Sequence, residues 1–255
     1  MIGSIGVFDS GVGGLSVLAE IRRLLPDAAI TYVADQAHAP YGERSLVDVR
    51  RRAEAVTALL VDAGAALVVV ACNSASAAAL HHLRRRFPEI AFVGMEPAVK
   101  PAAASTRTRA IGVLATEATF QGTLFASVVD RHASTVAVVA RACPGLATAV
   151  EDGDDLRARQ LVSAYVGPLV DRGVDTIVLG CTHYSFLATD IAAVAGDGVT
   201  IVDPAAAVAR RVAMLLPAAP AGPLRFVTTG DPERFAQQLR RLTPQFAGAA
   251  KVTAS

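Results

Sequence analysis

The chain has 255 residues, 53% hydrophobic and 18% charged, a globular, core-rich composition long enough for one large domain or two smaller ones. A net charge of +1 with dispersed arginines argues against a nucleic-acid partner, and the densest cluster, Arg84-Arg85-Arg86, reads as a solvated helix end. No uncharged apolar run reaches the roughly 18 residues of a membrane span, and no basic leader precedes the first strand-like segment, so a cytoplasmic protein with no membrane association is expected.

Strand-length apolar runs alternate with helical periodicity. In chain order the pattern predicts strand Ser4–Phe8, helix Gly14–Leu25, strand Ile30–Ala34, helix Leu46–Ala63, strand Leu67–Ala71, helix Ser74–Arg86 and strand Ala91–Gly94. After a Pro/Ala-rich break around 96–108 it continues with strand Ala110–Leu114, helix Thr116–Arg131, strand Thr135–Ala140, helix Asp155–Arg172, strand Thr176–Leu179, helix Phe186–Ala195 and strand Thr200–Val202. A second break at Asp203-Pro204 precedes helix Ala205–Leu216, strand Arg225–Thr229 and helix Pro232–Leu242; the stretch 217–223 reads as a loop and 247–255 as a frayed tail. Continuous apolar strands between helices predict parallel sheets covered on both faces. The expected architecture is two pseudo-symmetric α/β domains, 1–97 with 205–255 and 98–204, and a site in the cleft between them.

Two segments look like copies of one another. Val68-Val-Val-Ala-Cys72-Asn73-Ser74 and Thr176-Ile-Val-Leu-Gly-Cys181-Thr182-His183 each deliver a cysteine, then a small polar residue, at the exit of an apolar strand. Strand exits are where open α/β sheets bind ligands. Either cysteine alone reads better as an inert core residue, but a matching pair, one in each half, suggests two thiols facing one substrate. His183 makes the second turn an acid/base candidate. The third cysteine, Cys143, lacks this context and reads as structural; an odd count without CxxC spacing fits reduced thiols and no zinc ribbon.

Phe8-Asp9-Ser10-Gly11-Val12-Gly13-Gly14 is a strand end and glycine-rich turn before a helix, able to present backbone N–H groups to an anion, though it matches neither a Walker loop nor a dinucleotide fingerprint. Pro40-Tyr41-Gly42 reads as a turn whose Tyr41 O–H is available to a ligand or as a plain surface turn, with His38 beside it idle. Thr116 and Thr119 place hydroxyls after another strand, and Glu151 opens an acidic run that resembles a solvated helix start. His81-His82 reads as helix surface. The chain's lysines are Lys100 and Lys251, which leaves little scope for Schiff-base chemistry, so neither cofactor nor metal is expected.

Taken together, Gly6–Gly14, Pro40-Tyr41-Gly42, Ala71–Ala75, Glu96-Pro97-Ala98, Gly112–Thr116 and Leu179–Tyr184 resemble the glutamate racemases, in the same order over about residues 4–204. Ser74 stands where that family commonly has Thr, and Ser185 where Pro usually follows His-Tyr. The resemblance implies cofactor-independent interconversion of L- and D-glutamate, supplying D-glutamate for peptidoglycan and so for cell-wall biogenesis and cell shape. It implies Cys72 and Cys181 as the two acid/base residues, Cys181 acting on L-glutamate and Cys72 on D-glutamate. Asp9 and His183 would assist them, with Glu151 as a further acidic helper. Asp9, Ser10, Pro40, Tyr41, Gly42, Asn73, Ser74, Thr116, Thr119, Thr182 and His183 would contact substrate. A homodimer is expected. Rival readings are an aspartate or broad-specificity racemase, a cysteine hydrolase using Cys181 and His183, and a racemase-like regulator of a partner such as a topoisomerase.

Overall fold

The computed structural model describes residues 3–216, 219–248 and 252–254. The first half runs β1 (Ser4–Asp9), α1 (Leu15–Leu24), β2 (Ile30–Ala34), α2 (Leu46–Asp62), β3 (Ala65–Val70), α3 (Asn73–Arg86) and β4 (Ala91–Gly94). It continues through α4 (Val99–Ser105) to β5 (Ala110–Ala115), α5 (Glu117–Gln121), α6 (Thr123–His132), β6 (Ala137–Ala142), α7 (Leu146–Asp152), α8 (Asp155–Val170), β7 (Thr176–Gly180), α9 (Ala188–Ala195) and β8 (Thr200–Val202). Finally α10 (Ala205–Leu215), β9 (Leu224–Thr228), α11 (Pro232–Leu242) and β10 (Val252–Ala254) follow.

These strands form two sheets, one of six strands in the order β10-β9-β2-β1-β3-β4 and one of four in the order β6-β5-β7-β8, with every ladder parallel. The architecture is therefore two parallel-sheet α/β domains. The core of the first, β2-β1-β3-β4, has the same strand order relative to the chain as the whole of the second. In both, the order reverses between the first and third strands of the unit, the switch point where α/β sheets hold ligands. Asp9 ends β1 and Cys72 follows β3; Thr116 follows β5 and Cys181 follows β7.

The unbroken apolar runs are explained by burial on both faces. Along β3, Leu67 and Val69 join one core cluster while Val68 and Val70 join another across the sheet. Along β7, Ile177 and Leu179 face one cluster and Val178 the other. Period-two alternation sends successive side chains to opposite faces, so a strand covered on both sides has no polar position to offer. Phe186 and Leu242 are half-buried against the main core of each domain, tying the two together.

The structure corrects several readings. The helix expected over 116–131 is two, because Gly122 takes an extended backbone between α5 and α6. The break at 96–108 contains α4, and the predicted tail contains β10, which pairs with β9; residues 249–251 and 255 lie outside the described ones. The acidic run is not one solvated helix start. Glu151 sits buried near the end of α7, a helix the pattern did not suggest, and only Asp154 caps α8 through the Arg157 N–H.

Asp175 anchors the entry to the second domain. Its carboxylate accepts from Thr106 Oγ1 (2.5 Å), the N–H groups of Arg107 (2.7 Å) and Thr108 (3.0 Å), and Thr176 Oγ1 (3.2 Å). Burial opposes its ionisation, but these donors outweigh burial and hold its pKa down to about 2. Asp175→Asn is expected to cost about 1–3 kcal/mol at neutral pH, read by urea denaturation. A carboxylate with a depressed folded pKa stabilises above its unfolded value and loses that contribution as pH falls through the folded one. The gap between wild type and variant is therefore expected to close between about pH 4 and pH 2; a gap unchanged across that window would refute the assignment.

Candidate active site

The turn after β1 carries the first half of the site. Asp9 is buried, accepting from the Gly11 N–H (2.8 Å), Ser10 Oγ (3.3 Å) and, across the domain boundary, Thr182 Oγ1 (2.9 Å). Burial pushes its pKa up, against the opposing pull of His183 and the Gly11 N–H. Two glycines in this turn are required by close approach. A Cβ on Gly11 would collide with the Glu151 carboxylate, and one on Gly13 with Thr182 and His183. The glycine-rich turn is thus a seat for side chains of the other domain as well as a backbone bend.

Cys72 follows β3 as the N-cap of α3, its Sγ accepting from the Ala75 N–H at 3.5 Å. Burial pushes this thiol well up, and the Asp9 charge pushes in the same direction; the Ala75 and Ser10 N–H groups pull the other way. The next residue, Asn73, is buried with neither end of its amide hydrogen-bonded within the described protein. Buried amides are normally paired, because an unmade hydrogen bond costs about 1–3 kcal/mol. Asn73 is also among the residues that line the cleft.

Cys181 follows β7 in the equivalent position and heads a short 3-10 turn over Thr182–Leu187, closed by the Tyr184 N–H on the Cys181 carbonyl at 3.0 Å. Ser185 does not disturb that turn. His183 Nδ1 lies 3.7 Å from Cys181 Sγ, and His183 Nε2 lies 2.7 Å from Glu151 Oε1. Burial alone would lower the imidazole's pKa, but its hydrogen bonds and charge interactions with Cys181 and Glu151 carry it well above the ordinary histidine value. Glu151 is buried too. Burial would raise its pKa, yet His183, the Val12 N–H (2.7 Å) and Gln36 hold it below the usual range. An anionic Glu151 beside a protonated His183 gives Cys181 an acid/base partner that Cys72 does not have.

One cleft gathers most of the predicted residues. Ser10, Pro40, Tyr41, Gly42, Cys72, Asn73, Ser74, Thr116, Cys181, Thr182 and His183 line it together. Ser74 Oγ and Thr116 Oγ1 meet across the domain boundary at 2.9 Å. Asp9 stands behind Ser10, and Thr119 stands behind Thr116, 2.9 Å from its hydroxyl; neither lines the cleft. The Tyr41 O–H is not free for a ligand, since it donates to buried Asp35 at 2.5 Å. Asp35 also takes both Arg52 Nε (3.0 Å) and an Arg52 terminal nitrogen (2.8 Å), Thr229 Oγ1 (2.8 Å) and His38 Nδ1 (3.1 Å). Tyr41 therefore offers the cleft its ring and backbone, and His38 is not idle.

Cys143 also reaches the cleft wall, beside Thr148, and burial pushes its thiol up to about 12. Its Ala-Cys-Pro-Gly context gave no sign of this, because its neighbours in the site come from β7 and α7. Lys100 is exposed on α4 and lines a separate groove, away from the cysteines. Among the described residues no cluster of His, Cys, Asp and Glu has the arrangement of a metal site.

The family model described as Asp/Glu/Hydantoin racemase matches residues 5–212. The chain is 52% identical over 248 residues to the glutamate racemase of Roseiflexus sp. (strain RS-1), covering 93% of this chain and 91% of that one. Among solved structures it superposes on glutamate racemase isoform RacE1 from Bacillus anthracis with a TM-score of 0.89 at 33% identity, covering 99% and 97% of the two chains. It matches Escherichia coli glutamate racemase, solved in complex with L-glutamate and the activator UDP-MurNAc-ala, with a TM-score of 0.85 at 33% identity over 100% and 98%. The chain belongs to the Asp/Glu/hydantoin racemase family, and the relatives named above are glutamate racemases.

Proposed function

We propose that this protein racemises glutamate by a two-base reaction between Cys72 and Cys181 without a cofactor. The observation that carries the reading is the equivalence of the two thiols: each leaves the third strand of a repeated unit, and both line one cleft. Racemisation must remove a proton from one face of a chiral carbon and return one to the other, and two bases on opposite walls do this without moving the substrate. With L-glutamate, the Cys181 thiolate takes the α-proton while the Cys72 thiol donates its own to the opposite face; with D-glutamate the roles exchange. Each turnover leaves the thiol and thiolate swapped, and proton exchange with solvent restores them.

The α-carbanion delocalises into the carboxylate, so donors around that group lower the barrier. Asn73, Ser10, Ser74, Thr116 and Thr182 supply amide and hydroxyl groups from both domains. His183, kept protonated by Glu151, serves Cys181; the N–H groups of the β1 turn and of α3 serve Cys72, with Asp9 beside it. The domain division into 1–97 with 205–255 and 98–204 is supported by sheet membership, since β9 and β10 join the first sheet. The role that goes with this reaction is the supply of D-glutamate for the cell wall, in the cytoplasm.

Purified protein in deuterated water is expected to racemise both L- and D-glutamate with no added cofactor, incorporating one α-deuterium per inversion, followed by optical rotation and mass spectrometry. Cys72→Ser and Cys181→Ser are each expected to lose more than about 10³-fold in kcat. Full racemase activity in either variant would refute the two-base assignment, and no exchange from either enantiomer would end the racemase reading.

Asn73→Ala separates binding from folding. Removing a buried amide without partners is expected to leave the ligand-free protein as stable or more stable by about 1 kcal/mol. The same change is expected to raise KM for glutamate at least about tenfold. An unchanged KM would remove Asn73 from the substrate site.

A further inference from the structure

Glu151 is held on its far side by a chain of amides that the reaction scheme above does not use. Gln238 on α11 is buried, and its Nε2 donates both to the Glu151 backbone carbonyl (2.8 Å) and to Glu151 Oε2 (3.1 Å). Gln238 Oε1 accepts from Gln36 Nε2 (2.7 Å), which also reaches Glu151 Oε2 at 3.4 Å, and Gln36 Oε1 accepts from the Thr228 hydroxyl (2.9 Å). The polarity of this chain is forced. A carboxylate and a carbonyl only accept, so Gln238 must present its NH₂ to them; its oxygen then needs a donor, and Gln36 must turn its own NH₂ inward.

Glu151 Oε1 is meanwhile engaged by Val12 N–H and His183 Nε2 at 2.7 Å each. The two oxygens thus have separate duties, one facing the imidazole and the other facing the amides. Neighbours on the same face of α11 grip the same stretch of α7. Arg234 pairs with Asp152 (2.8 Å), and Arg241 donates to the Val150 carbonyl. Residues 234, 238 and 241 recur at helical spacing, so successive turns of α11 hold three consecutive residues of α7.

We infer that Gln238, oriented by Gln36, is a positioning residue that fixes the Glu151 carboxylate on His183 and so tunes the Cys181 half of the reaction alone. The inference rests on the racemase reading above. Gln238 is not among the residues lining the cleft, and it acts through Glu151. Without Gln238 the Glu151 side chain loses one contact on Oε2 and its backbone loses another, so the carboxylate can rotate away from His183, and Cys181 loses the orientation of the group that exchanges protons with it. The Cys72 side is served by the Ala75 and Ser10 N–H groups and by Asp9, none of which hydrogen-bonds Glu151.

This asymmetry is measurable. L- and D-glutamate are equal in free energy, so kcat/KM must fall equally in both directions whichever thiol is impaired. Partitioning of the carbanion is not so constrained. From D-glutamate, Cys72 removes the proton, its thiol exchanges with solvent, and a slow Cys181 lets Cys72 return deuterium to the same face. From L-glutamate, the impaired step is the first, and the carbanion then proceeds to product.

The experiment compares wild type, Gln238→Leu, Gln238→Glu, Gln36→Ala and Arg234→Gln with each enantiomer in deuterated water at low conversion. Gln238→Leu is expected to lower kcat about 10- to 100-fold. Its recovered D-glutamate is expected to carry several-fold more α-deuterium per inversion than with wild type, while recovered L-glutamate does not. Gln238→Glu, which sets a carboxylate against a carboxylate, is expected to do the same more strongly, and Gln36→Ala more weakly; Gln36 is half-exposed and tests the point should Gln238 variants fail to fold. Arg234→Gln, on the same helix face but bonded to Asp152, is expected to keep wild-type partitioning. Wild-type kcat in the Gln238 and Gln36 variants, a rise in exchange from both enantiomers, or the same asymmetry in Arg234→Gln would each overturn the inference while leaving racemisation by the wild type intact. A wild type that racemises neither enantiomer would overturn the proposed function itself.

Discussion

The carboxylate of Glu151 is the point on which the two domains and their chemistry converge. It comes from the second domain and accepts the Val12 N–H of the first at 2.7 Å, in a seat that exists because Gly11 has no Cβ. Burying a carboxylate costs several kcal/mol unless its oxygens are occupied, and here the Val12 N–H, His183, Gln36 and Gln238 occupy them. Those donors come from both domains, so the charge is satisfied only when the cleft is assembled. The contacts that join the domains at Glu151 therefore also orient the imidazole beside Cys181.

Topology explains why the thiols can face one another. A parallel unit whose strand order reverses between its first and third strands leaves a crevice at their C-terminal ends. This chain builds that unit twice and sets the crevices together, so that Asp9 and Cys72 of one meet Thr182 and Cys181 of the other. The contents of the two crevices differ. Cys72 has a helix N-terminus and a buried aspartate, whereas Cys181 has an imidazole and a glutamate. The fold repeats, and the chemistry is a division of labour.

Much of this was legible in the sequence because it is local. The strands carrying the cysteines are apolar runs bounded by small polar residues, and the Asp9 and His183 turns follow directly from them. What escaped was set by distance along the chain. The short α7 contains small apolar residues with no polar face to mark its period, so the local pattern presents Glu151 as a solvated helix start and only the family resemblance marks it as a helper. Nothing near Gln238 announces a partner, since that partner lies in another domain and beyond another helix. The partner of the Tyr41 hydroxyl is not legible either, because Asp35, its acceptor, is placed only once the loop folds over it. β10 escaped for a different reason: three residues near the chain's end carry too little pattern to distinguish an added edge strand from a tail.

In the proposed reaction an unlike pair of thiols serves a like pair of substrates, which has a thermodynamic consequence. Because the enantiomers are isoenergetic, the proposed reaction has an equilibrium constant of one, and no arrangement of residues can favour one direction in kcat/KM. Chemical asymmetry between the Cys72 and Cys181 sides can therefore appear only in how tightly each enantiomer is held and how fast the bound complex reacts, with gains in one offset in the other. The buried and unpaired Asn73 amide belongs to this balance. In the proposed site, a group without a partner inside the protein can be met by either enantiomer, since the substrate carboxylate is common to both, and it would strengthen binding without biasing direction. The directional differences must then arise nearer the α-proton, where the imidazole–carboxylate pair on one wall faces backbone donors on the other.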